Sequence, residues 1–289
     1  MEEQNTLATL APTHSSAFAK PTASLAKVVA TKNQILAALP DADFARLRPN
    51  LEPISLPTGV TLRDARVRAT EVYFLNSGIA CQLHIANGGA KTALALIGRE
   101  SMVGIESFLG GESLPMRSVM LSEGHGYRIN AQVLIDEFYR SPSMRRIFLR
   151  YAQALLTQIQ QTAVCSGHHS VEKRLARFLL LCLDRLPANE ITMTQAQMGT
   201  LLGVRRESVT EAARKLLQVH AINYVRGHIT VVDRVALEAY CCECYAVVKW
   251  EYDRLAPEAI FQQASEQGPC VSDGSSASQI STAISKEFG

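Results

Sequence analysis

The densest group of residues able to read a nucleic acid lies late in the chain, in Gly203-Val204-Arg205-Arg206-Glu207-Ser208-Val209. An arginine can donate two hydrogen bonds to the major-groove edge of guanine, and a glutamate can accept one from cytosine N4. Thr210 and Glu211 follow at once with further polar groups. A second group, Cys241-Cys242-Glu243-Cys244, carries thiols that can bind zinc or be oxidised. On a terminal helix Cys241 and Cys244 share a face, so a thiol- or metal-responsive regulator using Cys241, Cys242 and Cys244 is one alternative function. Four-ligand zinc sites usually bring a second paired cluster, and the one His pair, His168-His169, belongs to an inter-domain hinge. No metal site is therefore assigned, and packing of small buried thiols is the expectation. A Gly-rich phosphate loop, a nucleophile elbow and paired metal-ligand motifs are all missing from the sequence, which argues against an enzyme.

The elements that must position the Arg-Glu group can be read from its surroundings. Thr194 with Gln197 three residues on is a capping box, so a helix starts there. Met198, Leu201 and Leu202 give that helix one apolar face, and Gly203 supplies a permissive backbone for a tight break. Val209, Ala213, Leu216 and Leu217 then rebuild an apolar stripe at helical spacing. Two short helices about a Gly turn make a helix-turn-helix, whose second helix offers its N-terminal turn to base edges. Residues 221–225 and 229–232 flank Arg226-Gly227-His228 as a short β-hairpin, a wing directly after the recognition helix. From Val171 to Arg234 ten Lys and Arg face six Asp and Glu, a local excess of positive charge that suits a phosphate backbone.

The whole chain hides that excess. Its 289 residues hold 29 Lys and Arg against 27 Asp and Glu, for a net charge of +2. A 47% hydrophobic content excludes a wholly disordered chain, and the apolar runs fall well short of the roughly 20 residues of a membrane span. The opening Met1-Glu2-Glu3 lacks the basic start of a secretory signal. Seven scattered Cys fit free thiols in the reducing cytoplasm. Residues 1–30 and 253–289, rich in small and polar residues, are expected to be disordered tails.

Between the tails, residues from about 50 to 130 alternate short β-rich stretches with turns at Thr58-Gly59, Ser77-Gly78 and Gly88-Gly89, as in a small antiparallel barrel or sandwich. Ser141-Pro142 then opens a long helix running to about Cys165. Phe148, Ala152, Leu155, Ile159 and Thr162 recur along it at gaps of 4, 3, 4 and 3, a heptad-like seam that Leu149 and Leu156 widen. The seam points to a homodimer. A second helix, roughly Val171 to Arg185, leads to the unit already described.

Taken together, these features resemble the Crp/Fnr family of bacterial transcription regulators over about residues 35–250. The match is sharpest from Met193 to Val232, and looser in the seam helix and in the Leu-Pro-x-Gly and Val-Tyr-Phe-Leu-Asn-Ser-Gly stretches. The resemblance implies an α+β chain with three units. These are a cyclic-nucleotide-binding-like β jelly roll at 31–140, a dimerisation helix and hinge at 141–169, and a winged helix-turn-helix DNA-binding domain at 170–252. It also implies a homodimer on a near-palindromic stretch of double-stranded DNA, with RNA polymerase as a further partner. Arg206 and Glu207 fall on the family's base-reading pair, flanked by Arg205 and Ser208, and Thr194 falls on a backbone-phosphate contact. Glu211 departs from the pattern, because the cyclic-AMP-dependent member has a base-reading Arg there. The other alternative function is a ligand-binding signalling module that acts through a protein partner.

The family's effector pocket needs a Gly-Glu step for a ribose hydroxyl and, about ten residues on, an Arg-Ser pair for the cyclic phosphate. In this chain Gly104 is followed by Ile105, with Glu106 one residue late, and in a strand such a slip points the side chain to the opposite face. Arg117-Ser118 keeps the pair, and Ile159 occupies the place where a hydroxyl holds the base. The implied pocket is degenerate, empty or holding a ligand other than cyclic AMP. Residues 1–80 contain no Cys, which removes the N-terminal iron–sulfur ligands of the oxygen-sensing branch. His84 and His125 are isolated and give no haem ligand.

Overall fold

The computed structural model describes residues 32–110 and 113–255, so the expected tails lie outside the described residues except for 253–255. Two short helices, α1 (Gln34–Ala38) and α2 (Asp41–Leu47), precede eight strands. The strands are β1 (Glu52–Leu56), β2 (Thr61–Arg63), β3 (Glu71–Leu75), β4 (Ala80–Ile85), β5 (Lys91–Ile97), β6 (Met102–Val103), β7 (Arg117–Met120) and β8 (Gly124–Asn130). They form two antiparallel sheets, ordered β1-β8-β3-β6 and β2-β7-β4-β5.

The three Gly turns divide by this topology. Gly89, at φ +80°, closes the β4–β5 hairpin, whose register pairs Ile85 with Lys91. Gly59 and Gly78 instead carry the chain from one sheet to the other, since β1 and β2, like β3 and β4, belong to different sheets. At Gly78 a Cβ would stand 2.8 Å from the Glu123 carbonyl oxygen, so the crossing needs both the positive φ and the missing side chain.

Helix α3 (Ala131–Arg140) leads through Ser141 into α4 (Pro142–His168), whose 27 residues span about 40 Å. Ser141 caps α4 by accepting from the Met144 N–H at 3.2 Å, and its hydroxyl donates to Asp43 at 2.6 Å. Two sides of α4 are covered by its own chain. On one, Gln158 bonds both the N–H and the carbonyl of Leu96 on β5, each at 3.1 Å. On the other, α9 (Cys244–Asp253) packs along the helix, and Gln158 also donates to the Tyr252 hydroxyl at 2.8 Å.

This geometry corrects the expected seam. Phe148 and Leu155 are buried in the core of their own chain, while Ala152, Ile159 and Thr162 are half-buried. The apolar line left on the solvent side is Leu149, Ala152, Leu156, Ile159 and Ala163, with Leu149 and Leu156 48% and 49% exposed. Its gaps of 3, 4, 3 and 4 also follow a heptad. A helix with two overlapping apolar seams can show from sequence that both exist, but not which one faces inward.

Helix α5 (Val171–Leu183), β9 (Glu190–Thr192), α6 (Gln195–Leu202), α7 (Arg206–Gln218), β10 (Ile222–Val225), β11 (His228–Val231) and α8 (Arg234–Tyr240) form the winged unit, with its sheet ordered β10-β11-β9. An ion pair from Arg185 to Glu100 at 2.9 Å ties the end of α5 to the β5–β6 turn, with the guanidinium 5.4 Å from the centre of the Tyr252 ring. Among the described residues, no helix is long and apolar enough to cross a membrane.

Candidate functional site

The first helix of the motif begins where its capping box places it. Thr194 accepts from the Gln197 N–H at 3.2 Å, and the Gln197 side chain accepts from the Thr194 N–H at 2.8 Å. Gly203 follows α6 in the left-handed conformation, φ +65° and ψ +36°. A Cβ on Gly199 would come within 3.0 Å of the Val204 carbonyl, so the tight approach of the two helices also needs a glycine there.

Helix α7 then buries Val209, Ala212, Ala213 and Leu216 against the unit and turns its other face outward. Arg205, Arg206, Glu207, Thr210 and Glu211 are exposed, and Ser208 is half-buried. Thr210 is braced, donating to Gln195 at 2.7 Å across the helix pair. Glu211 lies 4.0 Å from Lys215, whose ammonium pairs more closely with Glu172 at 2.9 Å. Arg214 joins the same outer face one turn beyond Thr210. Beyond the recognition helix, Arg226 and Gly227 adopt φ +47° and +88°, which makes the two-residue turn of the wing and leaves Arg226 exposed at its tip.

The residues expected around an effector are placed differently. Gly104 is left-handed at φ +108° and starts a 3-10 turn, Ile105–Phe108, so Glu106 does not lie on a strand. Glu106 is buried and ion-paired to Arg63, which is itself buried and stands opposite Ser118 in the β2–β7 register. Burial pushes the Glu106 carboxyl up, and Arg63 opposes the shift. Arg117 bonds Asp64 at 2.8–2.9 Å and holds that carboxyl below its ordinary value. Ser118 is buried, and Ile159 is half-buried against the main core. Arg63 and Asp64 had no signal in the sequence, because their partners lie 43 and 53 residues away.

The cysteine group also departs from expectation. Cys241 ends α8 and Cys244 begins α9, so they do not share one helix. The buried pair is Cys242 and Cys244, and it meets two residues from the end of α4, Cys165 and His169. The Cys165 and Cys242 sulfurs are 3.6 Å apart, as are the Cys244 sulfur and His169 Nδ1. Cys165 and Cys241 hydrogen-bond to the Cys242 sulfur and hold its thiol far below the ordinary range, while the same bond pushes Cys165 up. The spacing Cys165-x-x-x-His169, two ligand types one helical turn apart, was the available signal.

Residues 173–240 match the Crp-like helix-turn-helix domain family. No curated protein sequence matches the chain. Solved structures share its fold. One is FixK2 from Bradyrhizobium japonicum, 17% identical, with 66% of this chain and 98% of that one covered and a TM-score of 0.59. Another is the c-di-GMP-responsive global regulator CLP of Xanthomonas campestris, 16% identical, with 66% and 99% covered and a TM-score of 0.54. A transcriptional regulator of the Crp/Fnr family from Thermus thermophilus is 16% identical, with 68% and 98% covered and a TM-score of 0.54. The chain thus shares the fold of solved Crp/Fnr-type proteins, and residues 173–240 match the Crp-like helix-turn-helix domain.

Proposed function

We propose that the protein is a sequence-specific transcription regulator that binds a near-palindromic operator as a homodimer in the cytoplasm, with RNA polymerase as its further partner. The observation that carries this reading is the exposed first turn of α7, where Arg205, Arg206 and Glu207 project beside Thr210 from a helix braced by Gln195. In such a motif that turn meets base edges, while Thr194 and the wing-tip Arg226 are placed to meet phosphates. The solvent-side line Leu149-Ala152-Leu156-Ile159-Ala163, with Leu149, Leu156 and Ala163 exposed, is the surface on which a second copy would pack.

The effector, where there is one, is not cyclic AMP in this reading. The acid and the cation that would hold a ribose and a cyclic phosphate are engaged within the chain, Glu106 by Arg63 and Arg117 by Asp64. Titration calorimetry with cyclic AMP should therefore show no saturable heat at ligand concentrations up to the millimolar range; a stoichiometric binding curve would refute this part.

Selection of bound fragments from a random duplex pool tests the main reading. Affinity for the selected operator should fall steeply with salt, as phosphate contacts release counter-ions. Arg206→Ala should then lose about 1–3 kcal/mol on the selected operator and relax the preference at one base pair. Equal losses on operator and random DNA would remove Arg206 from the base-reading role. Failure to select any sequence would favour action through a protein partner instead.

A further inference from the structure

Four potential ligands converge at the joint between the seam helix and the winged unit. The ligating atoms of Cys165, His169, Cys242 and Cys244 all lie within 4.8 Å of one another. Cys165 and His169 come from the last turn of α4 and its C-cap, held together by the His169 N–H donating to the Cys165 carbonyl at 3.1 Å. Cys242 and Cys244 come from the turn joining α8 to α9, some 75 residues later. Ligands about 2.3 Å (sulfur) and 2.0 Å (nitrogen) from a tetrahedral zinc stand about 3.8 Å apart for two sulfurs and about 3.5 Å for sulfur and nitrogen. The two separations observed, Cys165 to Cys242 and Cys244 to His169, are both 3.6 Å.

Two surrounding groups fit the same chemistry. The other ring nitrogen of His169, Nε2, lies 3.2 Å from a Glu243 carboxylate oxygen, which orients the ring with Nδ1 toward the sulfurs. A carboxylate on the far nitrogen is the usual support of a metal-bound imidazole. Arg177, buried and with its Nε lacking a hydrogen-bond partner, reaches Thr162 on α4 and acts electrostatically on Cys165 and Cys244. Its charge offsets the single negative charge of a divalent ion bound by three thiolates and a neutral imidazole. Plain packing accounts less well for the cluster, since its buried members are cysteines alone. An iron–sulfur cluster fits less well too, because its ligands bind different irons and stand further apart than ligands sharing one ion.

We infer that Cys165, His169, Cys242 and Cys244 form a single-ion zinc site that pins the start of α9 and the winged unit to the end of α4. Soft thiolate and imidazole donors in tetrahedral array select zinc. On binding, each coordinating cysteine that still carries its thiol proton exchanges it for a bond to the ion, and those protons pass to solvent. The assignment stands apart from the DNA-binding reading, since none of its tests involves DNA.

The test uses the full chain purified under reducing conditions. Elemental analysis should find one zinc per chain, and Co2+ exchanged into the chain should show the intense visible bands of a tetrahedral thiolate site. Cys165→Ser and Cys244→Ser should abolish both signals, whereas Cys182→Ser, away from the cluster, should keep them. Glu243, whose side chain is 73% exposed, can be changed without opening the core, and Glu243→Gln should weaken zinc affinity about tenfold or more. Adding zinc to the metal-free chain should raise its melting temperature, and Cys165→Ser should remove that rise. A wild-type chain that takes up neither zinc nor cobalt would overturn the assignment. So would a Cys165–Cys242 disulfide persisting under these conditions, bound iron with sulfide, or full metal content in Cys244→Ser.

Discussion

Replacing Leu156 with glutamate should leave a folded chain that is monomeric in solution and binds a two-half-site operator about 10²–10⁴-fold more weakly. Leu156 is half exposed and is not among the buried core residues, so the substitution leaves the subunit interior intact. In a symmetric contact the same stripe from each copy meets its mate, so one substitution acts twice. Two carboxylates would then be brought into an apolar seam without partners, a placement that disfavours association. The loss in affinity arises because the second half-site is no longer delivered by the first. Binding to a duplex carrying one half-site should be unchanged. Solution mass by light scattering and anisotropy titrations on both duplexes would check this, and a variant that stays dimeric with full operator affinity would locate the dimer contact elsewhere.

The second large effect is expected in the β domain. Glu106→Ala should lower unfolding stability by about 3–5 kcal/mol, because it strands the Arg63 guanidinium, only 8% exposed, without its counter-charge. The paired replacement Arg63→Met with Glu106→Leu should recover most of that loss, since two well-packed apolar side chains remove both desolvation penalties at once. Urea unfolding of the single and double variants separates the cost of a stranded charge from the cost of a lost side chain. If Glu106→Ala and the double variant proved equally destabilised, the pair would be a packing feature rather than an electrostatic one. The prediction also bears on the effector, because a carboxylate committed to Arg63 has little left to offer a ribose hydroxyl.

Much of the helix-turn-helix unit was legible from the residues alone. The Thr194–Gln197 box, the Gly203 break, the outward Arg206 and Glu207 and the Arg226-Gly227 wing turn are each set by groups within a few residues of one another. Helix α4 was legible for the same reason, through Ser141-Pro142 and its apolar period. Its orientation was not. Phe148 and Leu149 are neighbours in sequence with similar character, and only the tertiary packing, which sets Phe108 and Phe138 against Phe148, makes the first core and the second surface. The turns show the same division. Gly59, Gly78 and Gly89 all marked positive φ, but whether a turn closes a hairpin or crosses between sheets depends on strand pairing far along the chain.

The sequence by itself determined the local grammar of this protein: where helices start and stop, where the backbone bends, and which helix tip carries the Arg-Glu pair. Those features rest on hydrogen bonds and dihedral preferences confined to a few consecutive residues. The tertiary structure alone decided which charges are neutralised internally, which seam of α4 is free, and that Cys165 and His169 meet Cys242 and Cys244. Those outcomes depend on contacts between residues tens of positions apart, brought together by burial of the shared core, and no short window of sequence contains both partners.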